Sequence, residues 1–383
     1  MSRSRRAAGR DVHPSLEYAL VGCIAAIGSF LFTPLARQIA TRWGAVAKPR
    51  DRDVHAVDTP RLGGTALLVG FAAAMVIAHA LPTLSSTFSN GTEIDGVLWG
   101  GLIICALGVL DDRYELDSLT KFAGQVTAAA VMSIVGGIQL LTVYVPWGHT
   151  GFVLDRDASV ELTILLTVLT INAINFIDGL DGLAAGVTAI QGVAFFAYSY
   201  HLAAAGNFEI AAAPTLICAG LVGACVGFLP HNFAPARIFM GDSGSMLVGL
   251  MLSAAATTAV SKADPQVMGR AGALPLYLPL ILPLLVLALP FGDLLLAVIR
   301  RLRRGQSPFA PDKEHLHHRL MDMGHSHRRA VLLLYFWSAV LAFGAVAMAV
   351  TRGPWLVVTV VGALLGAGLL ATAVPRLRSA HKL

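Results

Sequence analysis

The chain returns again and again to apolar runs long enough to cross a bilayer, and this removes most folds open to 383 residues. A lipid interior offers no water to backbone N–H and C=O groups, so a spanning segment must be a helix or part of a closed barrel. About eleven such runs can be counted, beginning near Leu16, Leu62, Thr92, Phe122, Glu161, Leu183, Ala212, Gly244, Ala273, Ala330 and Pro354. Their length suits helices of about 20 residues, not the alternating strands of a barrel. Charged residues make up 13% of the chain, against about 25% in soluble domains. The sequence therefore predicts an all-α integral membrane protein with about 11 transmembrane helices. A basic tail over 1–15 and a second over 376–383 flank a single polytopic domain over 16–375. No cleavable leader is expected, because Pro34 and Arg37 follow the first run without a small-residue cleavage site. The ninth run carries Pro275, Pro279, Pro283 and Pro290 and should be kinked or interrupted. Cys23, Cys105, Cys218 and Cys225 all lie within apolar runs and read as buried small hydrophobes.

The joints between runs are unequal. Those after even-numbered runs are short or plain, and the one around Tyr144–Asp157 mixes β-branched, aromatic and turn residues in the manner of a small hairpin. Those after odd-numbered runs, at 42–61, 111–121, 172–181, 231–245 and 300–329, hold nearly all the polar chemistry. Parity places these five on one side of the membrane. They also hold most of the Lys and Arg, so the positive-inside rule makes that side cytoplasmic. The N-terminus is then outside and the C-terminus inside; Arg3, Arg5, Arg6 and Arg10 run against this and are outweighed by the larger internal bias. The net charge of +5 is thus a topology signal and does not indicate nucleic-acid binding.

Four motifs occupy that side. In Asn172-Ala-Ile-Asn175-Phe-Ile-Asp178-Gly-Leu-Asp181, four polar side chains recur at a spacing of three. A helix has 3.6 residues per turn, so such a stripe drifts by about 60° per step and cannot keep to one face. Gly179 and Gly182 suggest that the helix tightens or breaks there. The pair Asp111-Asp112, with Lys121 downstream, suits a Mg²⁺ site or a base beside one, with the lysine meeting a phosphate. Phe239-Met-Gly-Asp242-Ser-Gly-Ser245 opens the eighth run with backbone donors for an anion, an oxygen ligand for a metal and an aromatic platform for a planar base. His315, His317, His318 and Arg319 suit either a zinc site or a phosphate clamp, whereas His325 and His327 read as solvated surface. Together these groups are the inventory for Mg²⁺-assisted phosphoryl transfer where membrane meets cytosol. A transporter would place its ionisable groups near the bilayer midplane, often within an inverted repeat, and neither feature is present in the sequence.

The ordered set DDRYELDSLTKF, NAINFIDGLDGLAAG, FMGDSGS and HLHHRL, with Pro49, Arg52, His55, Thr59-Pro60 and Gly63-Gly64 in the first joint, resembles the polyprenyl-phosphate N-acetylhexosamine-1-phosphate transferases. This superfamily includes the MraY, WecA and TagO groups. The HLHHRL motif following SPFAPDKE looks like the WecA/TagO branch. The resemblance implies an eleven-helix bundle in a bacterial cytoplasmic membrane, compatible with a homodimer. It also implies a reaction in which polyprenyl phosphate (undecaprenyl or decaprenyl) attacks the β-phosphate of UDP-GlcNAc, yielding polyprenyl-diphospho-GlcNAc and UMP; UDP-MurNAc-pentapeptide is the alternative donor. By the same resemblance Asp111 or Asp112 would be the base, and Asp242 a ligand to Mg²⁺, or to Mn²⁺ in its place, helped by the Asp111/Asp112 pair. Asn172, Asn175, Asp178 and Asp181 would shape the nucleotide and metal site. Lys121 would meet phosphate and Phe239 would lie against uracil. His315, His317, His318 and Arg319 would hold sugar or diphosphate.

Overall fold

The structure is a computed structural model that describes residues 14–47, 58–145, 150–204, 208–261, 288–305, 320–351 and 354–380. Its elements in chain order are α1 (Pro14–Trp43), β1 (Val46–Ala47), β2 (Thr59–Pro60), α2 (Gly63–His79), α3 (Ser85–Asn90), α4 (Glu93–Tyr114), α5 (Ser118–Val135), β3 (Thr142–Val145), β4 (Thr150–Val153) and α6 (Arg156–Ile177). They continue with α7 (Leu183–Ala204), α8 (Phe208–Asn232), α9 (Gly241–Ser261), α10 (Ala288–Arg303), α11 (His327–Val350) and α12 (Pro354–Ala380). The described residues are helical, with two small antiparallel pairs among them. β1 pairs with β2, and β3 with β4 as the hairpin read from the joint after α5. Among the described residues, seven helices are long and apolar enough to cross a membrane, which makes this a multi-pass membrane protein. The start of the ninth run, with Pro275, Pro279 and Pro283, lies outside the described residues; α10 begins after it and contains Pro290.

Local chemistry sets several helix ends. The Asp117 carboxylate accepts from the N–H groups of Leu119 and Thr120 and so starts α5, and Asp155 starts α6 by accepting from Ala158. Pro34 inside α1 has no N–H for the carbonyl four residues back. That carbonyl, of Phe30, is instead met by His231 Nε2 of α8 at 3.2 Å.

The centre of the bundle is α9. Every residue from 243 to 259 is buried, as expected of a helix that is apolar and small on all sides. It packs against α4, α6, α8, α2 and α7. Small residues allow the close approach: a Cβ at Gly249 would fall 2.7 Å from Ile171 Cα. The outer helices α1 and α12 turn Leu16, Ile27, Leu31, Trp355, Leu356 and Leu370 outward, which in this composition is the lipid side. Cys23 is also exposed there, contrary to the expectation that all four cysteines are buried, because it falls on the outer face of α1.

Candidate active site

The site begins where α9 begins. Gly241 has φ +70°, and a Cβ there would meet Asp112 Oδ2 at 2.4 Å. Free of that clash, the Asp112 carboxylate lies across the start of α9. One oxygen accepts from Asp242 N at 2.9 Å and the other from Ser243 N at 3.1 Å. Both donors are helix-start N–H groups with no partner inside the helix. The neighbouring backbones come closer than a side chain would permit. A Cβ at Gly64 would fall 2.2 Å from the Ser243 carbonyl carbon, and one at Gly108 would fall 2.3 Å from Ser243 Cα. The segment before α9 is strapped as well: Phe239 N donates to Pro60 O at 2.8 Å, Gly63 N to Phe239 O at 3.2 Å and Gly64 N to Met240 O at 3.1 Å. Phe239 is thus pinned by its backbone on both sides, with its ring half-buried.

On this base sits a charged cluster. Lys121 Nζ, from the first turn of α5, lies 2.5 Å from Asp111 Oδ2 and 3.1 Å from Asp242 Oδ2. The other Asp111 oxygen accepts from Leu116 N at 2.8 Å. The other Asp242 oxygen accepts from Asn175 Nδ2 at 2.8 Å, and the same amide reaches Ser245 Oγ at 2.8 Å. Asp178 follows the last residue of α6, and among the described residues no hydrogen bond reaches its carboxyl. Burial pushes that carboxyl up to about 8; the charges of Asp242, Asp112 and Asp181 add to the rise, and Arg61 partly opposes it. At neutral pH Asp178 therefore keeps its proton unless a further cation arrives.

The remaining groups of the 172–181 stripe face elsewhere. Asn172 Nδ2 donates to Gln125 Oε1 at 2.7 Å and to Val168 O at 2.8 Å, a brace between α6 and α5. Asp181 accepts from Ala236 N at 2.9 Å and, through its own N–H, donates to His327 Nε2 at 3.1 Å. It holds the 232–240 segment in place, helped by Asn232, which accepts from Gly182 N and donates to Ile238 O. His327 is therefore a structural partner, and His325 is buried with Nε2 3.0 Å from Thr372 O. Neither is the solvated surface expected of it, because both lie at the start of α11 where it packs under the site. Asn232 and Gln125 were not picked out from the sequence; only their partners give them meaning. His315, His317, His318 and Arg319 lie outside the described residues. Leu320, the next residue, is buried in the same apolar cluster as Ile177, Leu180 and Leu183.

The donor set is made of carboxylates and an amide. Hard oxygen ligands of this kind suit Mg²⁺ or Mn²⁺ better than zinc. Among the described residues no ready-made cluster of three ligands is present. The Lys121 ammonium already marks a place between Asp111 and Asp242 where positive charge is demanded, with Asp178 nearby, so the residues fit a divalent cation.

The family described as glycosyl transferase family 4 matches residues 94–260, a stretch that contains Asp111, Asp112, Asn175, Asp178 and Asp242. The chain is 47% identical to a decaprenyl-phosphate N-acetylglucosaminephosphotransferase of Mycolicibacterium smegmatis, over 95% of this chain and 90% of the relative. It is 46% identical to the enzyme of the same description from Mycobacterium tuberculosis, with the same coverage. It is 28% identical to the undecaprenyl-phosphate alpha-N-acetylglucosaminyl 1-phosphate transferase of Escherichia coli K12, over 82% of this chain and 81% of the relative.

Proposed function

The chain belongs to the polyprenyl-phosphate N-acetylhexosamine-1-phosphate transferases, in the branch that handles N-acetylglucosamine, and from that premise we propose how its own residues carry the transfer. The substrates are UDP-GlcNAc and a polyprenyl phosphate; the 47% identity to a decaprenyl-phosphate enzyme favours the decaprenyl carrier. A phosphate oxygen of the lipid forms a bond to the β-phosphorus of UDP-GlcNAc. The bond from that phosphorus to the bridging oxygen breaks, and UMP leaves with the electron pair. The products are polyprenyl-diphospho-GlcNAc and UMP.

The observation that carries this reading is the Lys121 ammonium held between the carboxylates of Asp111 and Asp242 at the start of α9. A site for diphosphate must present positive charge to phosphoryl oxygens without burying it unpaired, and this arrangement does so before substrate arrives. Asp242 and Asp178 would hold Mg²⁺, which when bound neutralises charge on the diphosphate. Asp111 receives the proton of the lipid phosphate on the oxygen that faces Lys121, whose side chain can swing to the phosphate. Asp112 is a less suitable base, because both its oxygens accept fixed backbone N–H groups. Asn175 fixes the direction of Asp242, and Phe239 offers its ring to uracil. The eleven apolar runs are taken as eleven spans with this site on the cytoplasmic face of a bacterial inner membrane, where UDP-GlcNAc is met.

The test is UMP release by the purified chain in detergent with decaprenyl phosphate and Mg²⁺. UMP from UDP-GlcNAc, lost with EDTA and restored by Mg²⁺ or Mn²⁺, is the expected result. UMP only from UDP-MurNAc-pentapeptide would move the protein to the other branch. No UMP from either donor would overturn the reading.

A further inference from the structure

Beside the site, but lined by none of its residues, is a groove of about 520 Å³ between the last turns of α1 and the end of α8 with the segment after it. Its walls include Thr33, Arg37, Thr41, Arg42, His231 and Arg237. Among the described residues no carboxylate lines it, and none of the three guanidinium groups has an ion-pair partner. His231 is oriented by its Nε2 contact with Phe30 O, the carbonyl freed by Pro34, and by its ring against the Phe30 ring at 4.8 Å. Arg37 and Arg237 both act on it electrostatically, so the groove concentrates positive charge from two segments, α1 and the stretch after α8. Like charges repel, and a fold gathers them where a polyanion repays the cost. Guanidinium forks suit phosphate oxygens in particular.

The depth of the groove in the membrane indicates the source of that phosphate. The outer face of α1 exposes Leu31, Leu35, Ile39 and Trp43 over the same turns that present Arg37 and Arg42 to the groove. An apolar face ending in Trp and Arg marks headgroup level, and basic pockets between helices at that level take anionic headgroups. We propose that this groove binds the phosphate of an anionic membrane lipid, at a place distinct from the transfer site. Ile238 lines the groove and Phe239, next in the chain, is strapped to Pro60, so an occupied groove abuts the segment that carries the transfer site.

Native mass spectrometry of the full chain in detergent tests this, with dioleoyl phosphatidylglycerol, dioleoyl phosphatidylcholine and inorganic phosphate as probes. Wild-type protein should retain one phosphatidylglycerol saturably and phosphatidylcholine at least about tenfold more weakly. The double variant Arg37→Gln/Arg237→Gln should weaken retention by about tenfold or more, since each loses a charge-assisted contact. Arg37→Lys/Arg237→Lys should keep part of the binding, and Arg113→Gln, which lies at the same end of the bundle but outside the groove, should keep all of it. Arg37→Gln alone, on the exposed face of α1, supplies the same comparison if the double variant fails to fold. Equal retention by wild type and the Gln variants would overturn the site. Displacement of the lipid by inorganic phosphate at equal concentration would overturn the lipid as its ligand. Neither result depends on turnover, so each is separable from failure of the transferase reading.

Discussion

Asp112→Asn distinguishes a group that builds the site from one that performs chemistry in it. The carboxylate is 6% exposed and takes two α9 N–H groups, one on each oxygen. An asparagine in the same pose accepts one of them with its oxygen and turns an NH₂ toward the other donor. One charge-assisted bond of about 1.5–3 kcal/mol is lost. The remaining N–H is left facing a donor, and the favourable charge at the helix start, up to ~2 kcal/mol in a partly buried setting, goes with it. The sum is about 3–5 kcal/mol. The low end of the usual scale, ~2 °C per kcal/mol, applies to a long chain, and the expected fall in Tm is then about 6–10 °C.

The assay is intrinsic-fluorescence melting in detergent beside UMP release at a temperature where both proteins are folded. Asp112→Asn should lose both stability and turnover, since Asp242 rides on the first turn that Asp112 holds. Asp111→Asn should lose turnover with a smaller change in Tm, because Asp111 Oδ1 holds only the Leu116 N–H and its other oxygen faces Lys121. If Asp112→Asn melts like the wild type and is nonetheless inactive, the cap argument is refuted and Asp112 belongs with the chemistry.

Other expectations are open to equally direct measurement. Lys121→Met should leave Asp111 and Asp242 facing each other without their cation and cut kcat by about 10² or more, while Lys121→Arg keeps part of the rate; a Met variant at wild-type rate would remove the lysine from the site. Gly64→Ala should cost about 3 kcal/mol, because its Cβ would fall 2.2 Å from backbone at Ser243, where no side chain can swing aside; an unchanged Tm would mean that α2 and α9 are farther apart than described. For Asp178, whose carboxyl rises from 3.8 to about 8 on folding, the folded chain binds the extra proton between about pH 4 and pH 8, so this group's contribution to stability falls as pH rises through that window. Asp178→Asn cannot titrate, so its Tm relative to wild type should be higher at pH 8.5 than at pH 5.5, and a pH-independent offset would show the carboxyl to be unperturbed.

The helical membrane architecture was legible because its signal is collective: each apolar run states its own requirement. The β3–β4 hairpin was legible from its mix of β-branched, aromatic and turn residues. The structure brings Asp111, Asp112, Lys121, Asn175 and Asp242 into one set of contacts, with Asp178 close enough to act on it electrostatically. What the sequence concealed is who holds whom. The Asp-Asp pair reads as two equivalent acids, yet consecutive residues on a helix point about 100° apart, so one reaches Lys121 and the other the start of α9. Gly64 and Gly108 carry no chemistry in a linear reading and yet set the distance at which α2 and α4 can meet α9. Asn232 and Gln125 were invisible for a related reason: a buried amide matters only through partners that are distant in sequence.

The 172–181 stripe shows how far spacing can be trusted. Four polar groups three residues apart invite a picture of four ligands around one substrate. Helix geometry forbids it, because each step rotates the side chain by about 60°. The contacts follow that rotation. Asn172 reaches α5, Asn175 reaches Asp242 on α9, Asp178 is left open beside the cluster, and Asp181, past the end of the helix, reaches the 232–240 segment. Asn172, Asn175 and Asp181 each fasten a different neighbour to the end of α6, and Asp178 fastens none. On the proposed reading Asn175 and Asp178 are the two that act on a ligand, and the other two keep them in position. Substitution by Ala should separate them on the same line: Asn175 and Asp178 by loss of turnover at near-normal Tm, Asn172 and Asp181 by loss of Tm first. A turnover defect without a melting defect at Asp181→Ala would break this division.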